Sequence, residues 1–249
     1  MACNFLKLND DKTEMLVIGS KYGLKPKLHS LKCGNVEVNA SNAARNIGVV
    51  FDSTMSMENH VKNITQSVFM YLANIWKIRK YLSQTAAETI VHAFITSRLD
   101  YCNGLLYGLP QYMIKRLQYV QNAAARVVTS MRKFDHITPI LRDLHWLPVA
   151  ERIEYKIILI TYKAQHGIAP RYIQDLIVKC KKMRLLRINN QYRFEPKTCL
   201  VTYGDRAFFA AAPRLYNRLP LDMKKCDSVN IFKQKLKTYL FKKSILNLQ

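Results

Sequence analysis

A chain of 249 residues, 49% of them apolar, is long enough to bury one large core or two to three smaller ones and is too apolar for a disordered polymer. Its 39 basic residues against 17 acidic ones leave a formal charge of +22, so a polyanion is the natural partner, either nucleic acid or an anionic membrane surface. The longest apolar run, near Ile157–Tyr162, is far short of the roughly 20 residues a spanning helix needs, which argues against the membrane.

Along the chain, the first fifty residues read as strands. "KTEMLVIGS" (Lys12–Ser20) is a short apolar run ended by Gly19, "LHSLKCGNVEV" (Leu28–Val38) carries Gly34-Asn35 as a hairpin turn, and "NIGVVFD" (Asn46–Asp52) is a third strand. So small a sheet belongs to the edge of something larger. From Ser53 the period becomes helical. Val61, Ile64, Val68, Leu72, Ile75, Ile78 and Leu82 predict a helix over Met57–Leu82 with Ser56 as its N-cap. Ser83 caps a second helix, carrying Ile90, Val91, Phe94, Ile95 and Leu99 inward to about Asn103. After a Gly/Pro turn, Pro110 opens a third, with Met113, Leu117, Val120, Ala124 and Val127 on its inner face. These segments predict an antiparallel three-helix bundle.

Beyond Arg132 the sequence predicts a short helix at Thr138-Pro139 and a longer one from Pro148 to Gly167. Another short helix opens at Pro170, and residues 179–200 read as a basic loop. "DRAFFAAAPRLYNRLP" reads as a helix broken at Pro213, and Ser228 caps a final helix with Phe232, Leu236, Tyr239 and Leu240 on one side and lysines on the other. Residues 151–249 hold 21 basic and 7 acidic residues, a net of +14, against +8 for residues 1–150. The expected nucleic-acid contacts are Lys181, Lys182, Arg184, Arg187, Lys233 and Lys237. The aromatics interleaved with this basic region (Tyr192, Phe194, Tyr203, Phe208, Tyr216) are expected in the core beneath it.

Catalytic patterns fail on context. Asp10-Asp11 could suggest a two-metal carboxylate pair, but Leu8-Asn9 precedes it and only nine residues lie upstream to supply a third acid, so a surface turn is expected. His136 and His145 flank a short helix without a carboxylate or thiol at a useful offset. Cys3, Cys33, Cys102, Cys180, Cys199 and Cys226 form no Cys-x-x-Cys pair and are expected to be thiols, not metal ligands. Asp100, Tyr101 and Cys102 sit together at a helix end and are read as packing. There is no phosphate-cradling loop or nucleophile elbow, and no metal site or cofactor is expected in this chain. With no secretory leader pattern, an intracellular location is expected, cytoplasmic or nuclear.

Taken in order, "FLKLNDDKTEMLVIG", "NIGVVFD", "SRLDYCNGLLYGLP", "RLQYVQNAAARVV", "HITPILRDLHWLPVAERIEYKI", "YGDRAFFAAAPRLYNRLP" and "FKQKLKTYLF" span nearly the whole chain. The chain resembles the C-terminal part of the reverse transcriptase of non-LTR retrotransposons (LINEs), of the jockey-like kind. The resemblance implies a mainly α (α+β) chain in three parts. Residues 1–52 would be the edge of a polymerase palm, with "NIGVVFD" as its primer-grip hairpin. Residues 53–131 would be a thumb-like three-helix bundle holding the template–primer duplex, and residues 132–249 a basic helical extension. Tyr216 stands where the family usually shows tryptophan. The family's metal-binding aspartates match nothing here, so the chain is expected to be a fragment of an RNA-directed DNA polymerase that contacts RNA or DNA without polymerising. The parent enzyme would use Mg2+, and the absent fingers and palm would be a protein partner. The competing expectations are a non-catalytic nucleic-acid-binding or scaffold protein, and a decayed insertion with no function.

Overall fold

The computed structural model describes residues 9, 12–20, 28–33, 36–132, 134–178, 194–195 and 203–246. Among the described residues the chain is mainly helical, with a few short strands in its first part. It divides into two compact units, residues 1–63 and 64–249.

In the first unit, strand β2 (Ser30–Cys33) runs antiparallel to β3 (Val36–Ser41) with Cys33 opposite Val36, while β1 (Met15–Leu16) lies parallel on the other side of β3. The expected Lys12–Ser20 strand contributes only its two central residues, and the Gly34-Asn35 turn lies outside the described residues. The segment Asn46–Asp52 is not one strand. It is the turn and return of a second hairpin, β4 (Ala43–Asn46) against β5 (Val49–Asp52), with Asn46 opposite Val49. Ile47 and Gly48 both take positive φ, 45° and 80°, the backbone that a two-residue turn between twisted strands requires. The periodicity masks this turn because isoleucine rarely occupies such a position.

Asp52 ends β5 and organises the entry to the first helix. Its carboxylate accepts hydrogen bonds from Thr54 N (3.1 Å) and Oγ1 (2.7 Å), Ser56 N (2.9 Å) and Oγ (3.1 Å), and Met57 N (2.7 Å). Helix α1 (Glu58–Ile78) therefore starts one residue later than its apolar pattern predicts. Ser56 contributes as expected, its Oγ accepting from Glu58 N at 3.3 Å, but Asp52 positions the entry. Burial alone would raise the Asp52 pKa. The bonds from Ser56, Thr54 and Met57 outweigh it and hold the carboxyl below its ordinary value. Nearby, burial lowers the pKa of His60, whose Nδ1 accepts from Val50 N at 3.5 Å.

At its C-terminal end α1 tightens into a 3-10 turn, Arg79–Tyr81, and Ile78 is exposed rather than inward. In the second unit Arg79 donates Nε to the Val127 carbonyl (2.8 Å) and Nη2 to that of Val128 (2.7 Å). One side chain thereby satisfies two of the carbonyls that helix α4 (Gln111–Thr129) leaves unpaired at its end. Ser83 caps α2 (Gln84–Val91) as expected, its Oγ accepting from Ala86 N at 3.2 Å. The helical run then passes through a π turn, His92–Thr96, into α3 (Ser97–Asp100). Val91, Ile95 and Leu99 are buried, but Phe94 is 47% exposed, against the sequence expectation. The wider turn keeps a four-residue apolar line (Ala87, Val91, Ile95, Leu99) facing inward and rotates Phe94 out, where it stacks on Tyr71 at 5.5 Å.

All five residues expected on the inner stripe of α4 are buried. Pro110 lies one position before the helix rather than in it, its carbonyl accepting from Met113 N (3.0 Å) and Ile114 N (3.4 Å). The helices α5 (Ile137–Asp143), α6 (Val149–Gln165) and α7 (Arg171–Gln174) follow where their prolines predict, and Gly167 ends the α6 region at φ 70°. Helix α8 (Phe208–Asn217) runs unbroken through Pro213. The proline removes one backbone donor, but Ala210–Pro213 are buried and packing on α6 outweighs that loss. After α9 (Leu221–Lys224), Ser228 precedes α10 (Val229–Phe241) but contributes only its carbonyl, accepting from Phe232 N at 2.9 Å, not the expected side-chain cap. Helix α6 is the central element of this region, packed on α4, α8 and α10.

Replacing Asp52 with alanine strands five donors around the entry to α1, and a loss of about 2–4 kcal/mol is expected in chemical denaturation at neutral pH. The pH dependence has a definite sign. Because the folded-state pKa is depressed, the advantage of wild type over Asp52→Asn is complete above the reference value of 3.8 and shrinks as pH falls through the folded value. An advantage that grew on acidification would overturn the assignment.

Candidate nucleic-acid interface

Of the six cations expected to contact nucleic acid, Lys181, Lys182, Arg184 and Arg187 lie outside the described residues. Lys233 and Lys237 are four apart on α10, the first half-buried and the second exposed. They share a helix face that carries no acid, since α10 contains neither aspartate nor glutamate. Lys237 also lines a cleft with Lys156 of α6. Among the aromatics expected beneath the basic region, Phe194 and Tyr216 are buried and meet edge to face at 5.2 Å. Asn217 holds Phe194 in place, its Oδ1 accepting from Phe194 N at 3.0 Å and its Nδ2 donating to Phe194 O at 2.8 Å. Tyr203 is exposed instead, and Tyr192 lies outside the described residues.

Sequence reasoning missed a stronger surface on α4. Opposite its buried stripe, Tyr112, Lys115, Arg116 and Tyr119 fall at i, i+3, i+4 and i+7 and are all exposed. The two tyrosines are 60% and 57% exposed. Phe69 of α1 lies beside Tyr119 with ring centroids 6.0 Å apart, which extends the aromatic face across two helices. Neither Lys115 nor Arg116 has an acidic partner within 4 Å among the described residues, and α4 itself contains no acid. The legible signal was two tyrosines set off the apolar stripe with two cations between them. A second exposed cluster joins Tyr71, Phe94 and Arg98. The guanidinium sits 4.7 Å from the Tyr71 ring centroid and donates Nη2 to Tyr71 Oη at 2.9 Å.

Among the described residues, the candidate catalytic side chains do not assemble. Asp10 and Asp11 lie outside the described residues. His145 Nδ1 lies 3.1 Å from the Asp143 carbonyl and its ring stacks on Phe241 at 5.8 Å, with no hydrogen bond to His136. Asp100 is bound to Arg152 at 2.5 Å, while Tyr101 is exposed and Cys102 is exposed at a left-handed backbone position (φ 51°). Glu88, His92 and Thr96 form a polar line along one helical run, with contacts of 3.4 Å and 3.2 Å. Among the described residues no three His, Cys, Asp or Glu side chains come together to hold a metal ion, and no helix is long and apolar enough to cross a membrane.

No family model, curated protein or solved structure matches this chain.

The two faces of α4 predict opposite mutational responses. Tyr112→Ala and Tyr119→Ala are expected to change stability by less than about 1 kcal/mol, because exposed side chains contribute little to folding. Leu117→Ala, one residue from Arg116 but buried, should cost about 2–5 kcal/mol. Urea melts of the three variants check this, and a large loss at either tyrosine would show that the outer face is structural.

Proposed function

We propose that this chain binds RNA or DNA through its phosphate backbone. In this reading it is a thumb-like helical region with a basic extension, related to the C-terminal part of a non-LTR retrotransposon reverse transcriptase, and it contributes grip rather than synthesis. The observation that carries the reading is the outer face of α4, where Lys115 and Arg116 stand between the exposed rings of Tyr112 and Tyr119 with Phe69 alongside. Cations without acidic partners release counterions when they meet phosphates, and exposed rings stack on bases of any sequence. Lys233 and Lys237, together with Lys181, Lys182, Arg184 and Arg187, supply further charge. Contacts spread over several elements suit backbone binding without sequence readout.

No step of this function runs through a metal ion. The resemblance assigns the family's Mg2+ carboxylates to no residue of this chain, so primer extension by the purified protein is expected to be absent with any divalent ion. Synthesis that disappeared in an Asp10→Ala, Asp11→Ala double variant would refute this.

Binding itself is tested by filter retention of labelled RNA and DNA across a salt series. If four to six cations reach phosphates, log K falls with log salt at a slope of about −3 to −5. Lys115→Glu with Arg116→Glu should weaken binding alike on every sequence and flatten the slope by about 2. A flat salt response, or no retention at low ionic strength, would remove nucleic acid as the partner. Competition by anionic vesicles to the same extent as by unlabelled RNA would assign the surface to membranes instead.

A further inference from the structure

The second unit contains a cleft of about 370 Å³ that the outer face of α4 does not share. Its size falls within the roughly 300–1,000 Å³ of small-molecule sites. It is assembled from α2 and the π turn (Glu88, His92), the end of α3 and the following turn (Asp100, Asn103), the entry to α6 (His145, Trp146), α6 itself (Arg152, Tyr155, Lys156) and Lys237 of α10.

Two features define what would fit. First, its charges are unevenly committed. Asp100 is taken by Arg152, and Glu88 accepts from Trp146 Nε1 at 3.4 Å and faces His92 Nε2 at the same distance. Lys156 and Lys237 have no acidic partner within 4 Å among the described residues, so two ammonium groups from different helices are left to meet an anion. A phosphate monoester, with a charge of about −1.5 to −2 near neutrality, matches them. Second, rings line the remainder. Trp146 and His92 meet at 5.3 Å, and Tyr155 and His145 complete an aromatic lining suited to a flat heterocycle.

We infer that this cleft is a binding site for a nucleoside monophosphate, either free or at the 5′-phosphorylated end of a strand. The phosphate meets Lys156 and Lys237, and the ring lies against the aromatic lining on the Trp146 side. The site is separate from the α4 surface and stands whether or not that surface binds nucleic acid.

The chain has two tryptophans, Trp76 and Trp146, so Trp76→Phe leaves Trp146, 4% exposed and in the cleft wall, as the sole indole reporter. Adenosine 5′-monophosphate titrated into this full-length variant is expected to change the Trp146 emission saturably, and inorganic phosphate to compete. Lys237→Glu, at an exposed position on α10, should weaken the monophosphate about tenfold, and Lys156→Glu likewise. Lys115→Glu with Arg116→Glu should leave the titration untouched, which separates this site from the α4 face. A response to a 5′-phosphorylated oligonucleotide but not its 5′-hydroxyl form assigns the strand end as ligand, and a response to the free nucleotide alone assigns the metabolite. No saturable change up to about 10 mM monophosphate, or equal binding of adenosine and its monophosphate insensitive to Lys237→Glu, overturns the inference.

Discussion

The arrangement of the helical unit depends on how one arginine closes the entry to α6. Arg152 donates Nε to the Leu147 carbonyl at 3.0 Å and Nη1 to Asp100 at 2.5 Å. The same Leu147 carbonyl accepts Gln121 Nε2 at 2.8 Å, and Gln118 Oε1, one turn earlier on α4, accepts the first amide of α6, Val149 N, at 2.8 Å. Together these bonds hold the end of α3, the middle of α4 and the start of α6 to one point. Pro148 at the helix entry has no amide to satisfy, so Gln118 meets the first donor that exists there. Because α6 carries α8 and α10 on its other sides, this junction sets where the basic C-terminal helices stand. It also frames the cleft, since Asp100, Asn103, Leu147 and Arg152 all line it.

The charge imbalance acquires a structural meaning from how the acids are used. Asp52 holds the entry to α1, Asp100 meets Arg152, Asp205 meets Arg214, Glu154 meets Lys243, Asp135 accepts from Arg132 N, and Glu88 takes the Trp146 indole. These six carboxylates thus each fix a backbone group, a cation or an indole at a defined place. Lys115 and Arg116 on α4 and Lys237 on α10 are exposed with no acid within 4 Å among the described residues, and such a surface carries a counterion shell that a polyanion displaces. The buried Lys224 shows the alternative: its ammonium donates to the Asn217 carbonyl at 2.9 Å and belongs to the core.

Much of the helical architecture was legible because it rests on local chemistry. Ser83 as a cap, proline before α6 and α7, and the α4 stripe all follow from residues within a turn or two of each other. The misreadings have non-local or exceptional causes. Asp52 displaces the start of α1 from outside the helix. Ile47 takes a backbone conformation that its side chain disfavours, which hid a hairpin. Pro213 is tolerated because α8 packs on α6. The candidate surfaces were harder still to read. The α4 face was overlooked because a tyrosine off an apolar stripe reads as ordinary surface until Phe69, fifty residues away, is seen beside Tyr119. The cleft draws on residues from Glu88 to Lys237, and no window of sequence contains it.

The π turn at His92–Thr96 links the core to the cleft and to the Tyr71, Phe94 and Arg98 cluster. In a regular α-helix, residues four apart drift by about 40° at each step, so the line Ala87, Val91, Ile95, Leu99 would wind about 120° away from the core. The wider turn removes most of that drift and keeps all four residues buried. The same local unwinding decides which neighbours face out. Phe94 leaves the core to stack on Tyr71, under the reach of Arg98, while His92 turns toward Trp146 and the cleft. A single backbone irregularity, tolerated because it lets the core pack, thereby sets an aromatic–cation cluster on one side of the helical run and part of the cleft wall on the other. The rings exposed here are accordingly a consequence of how the apolar line is kept straight.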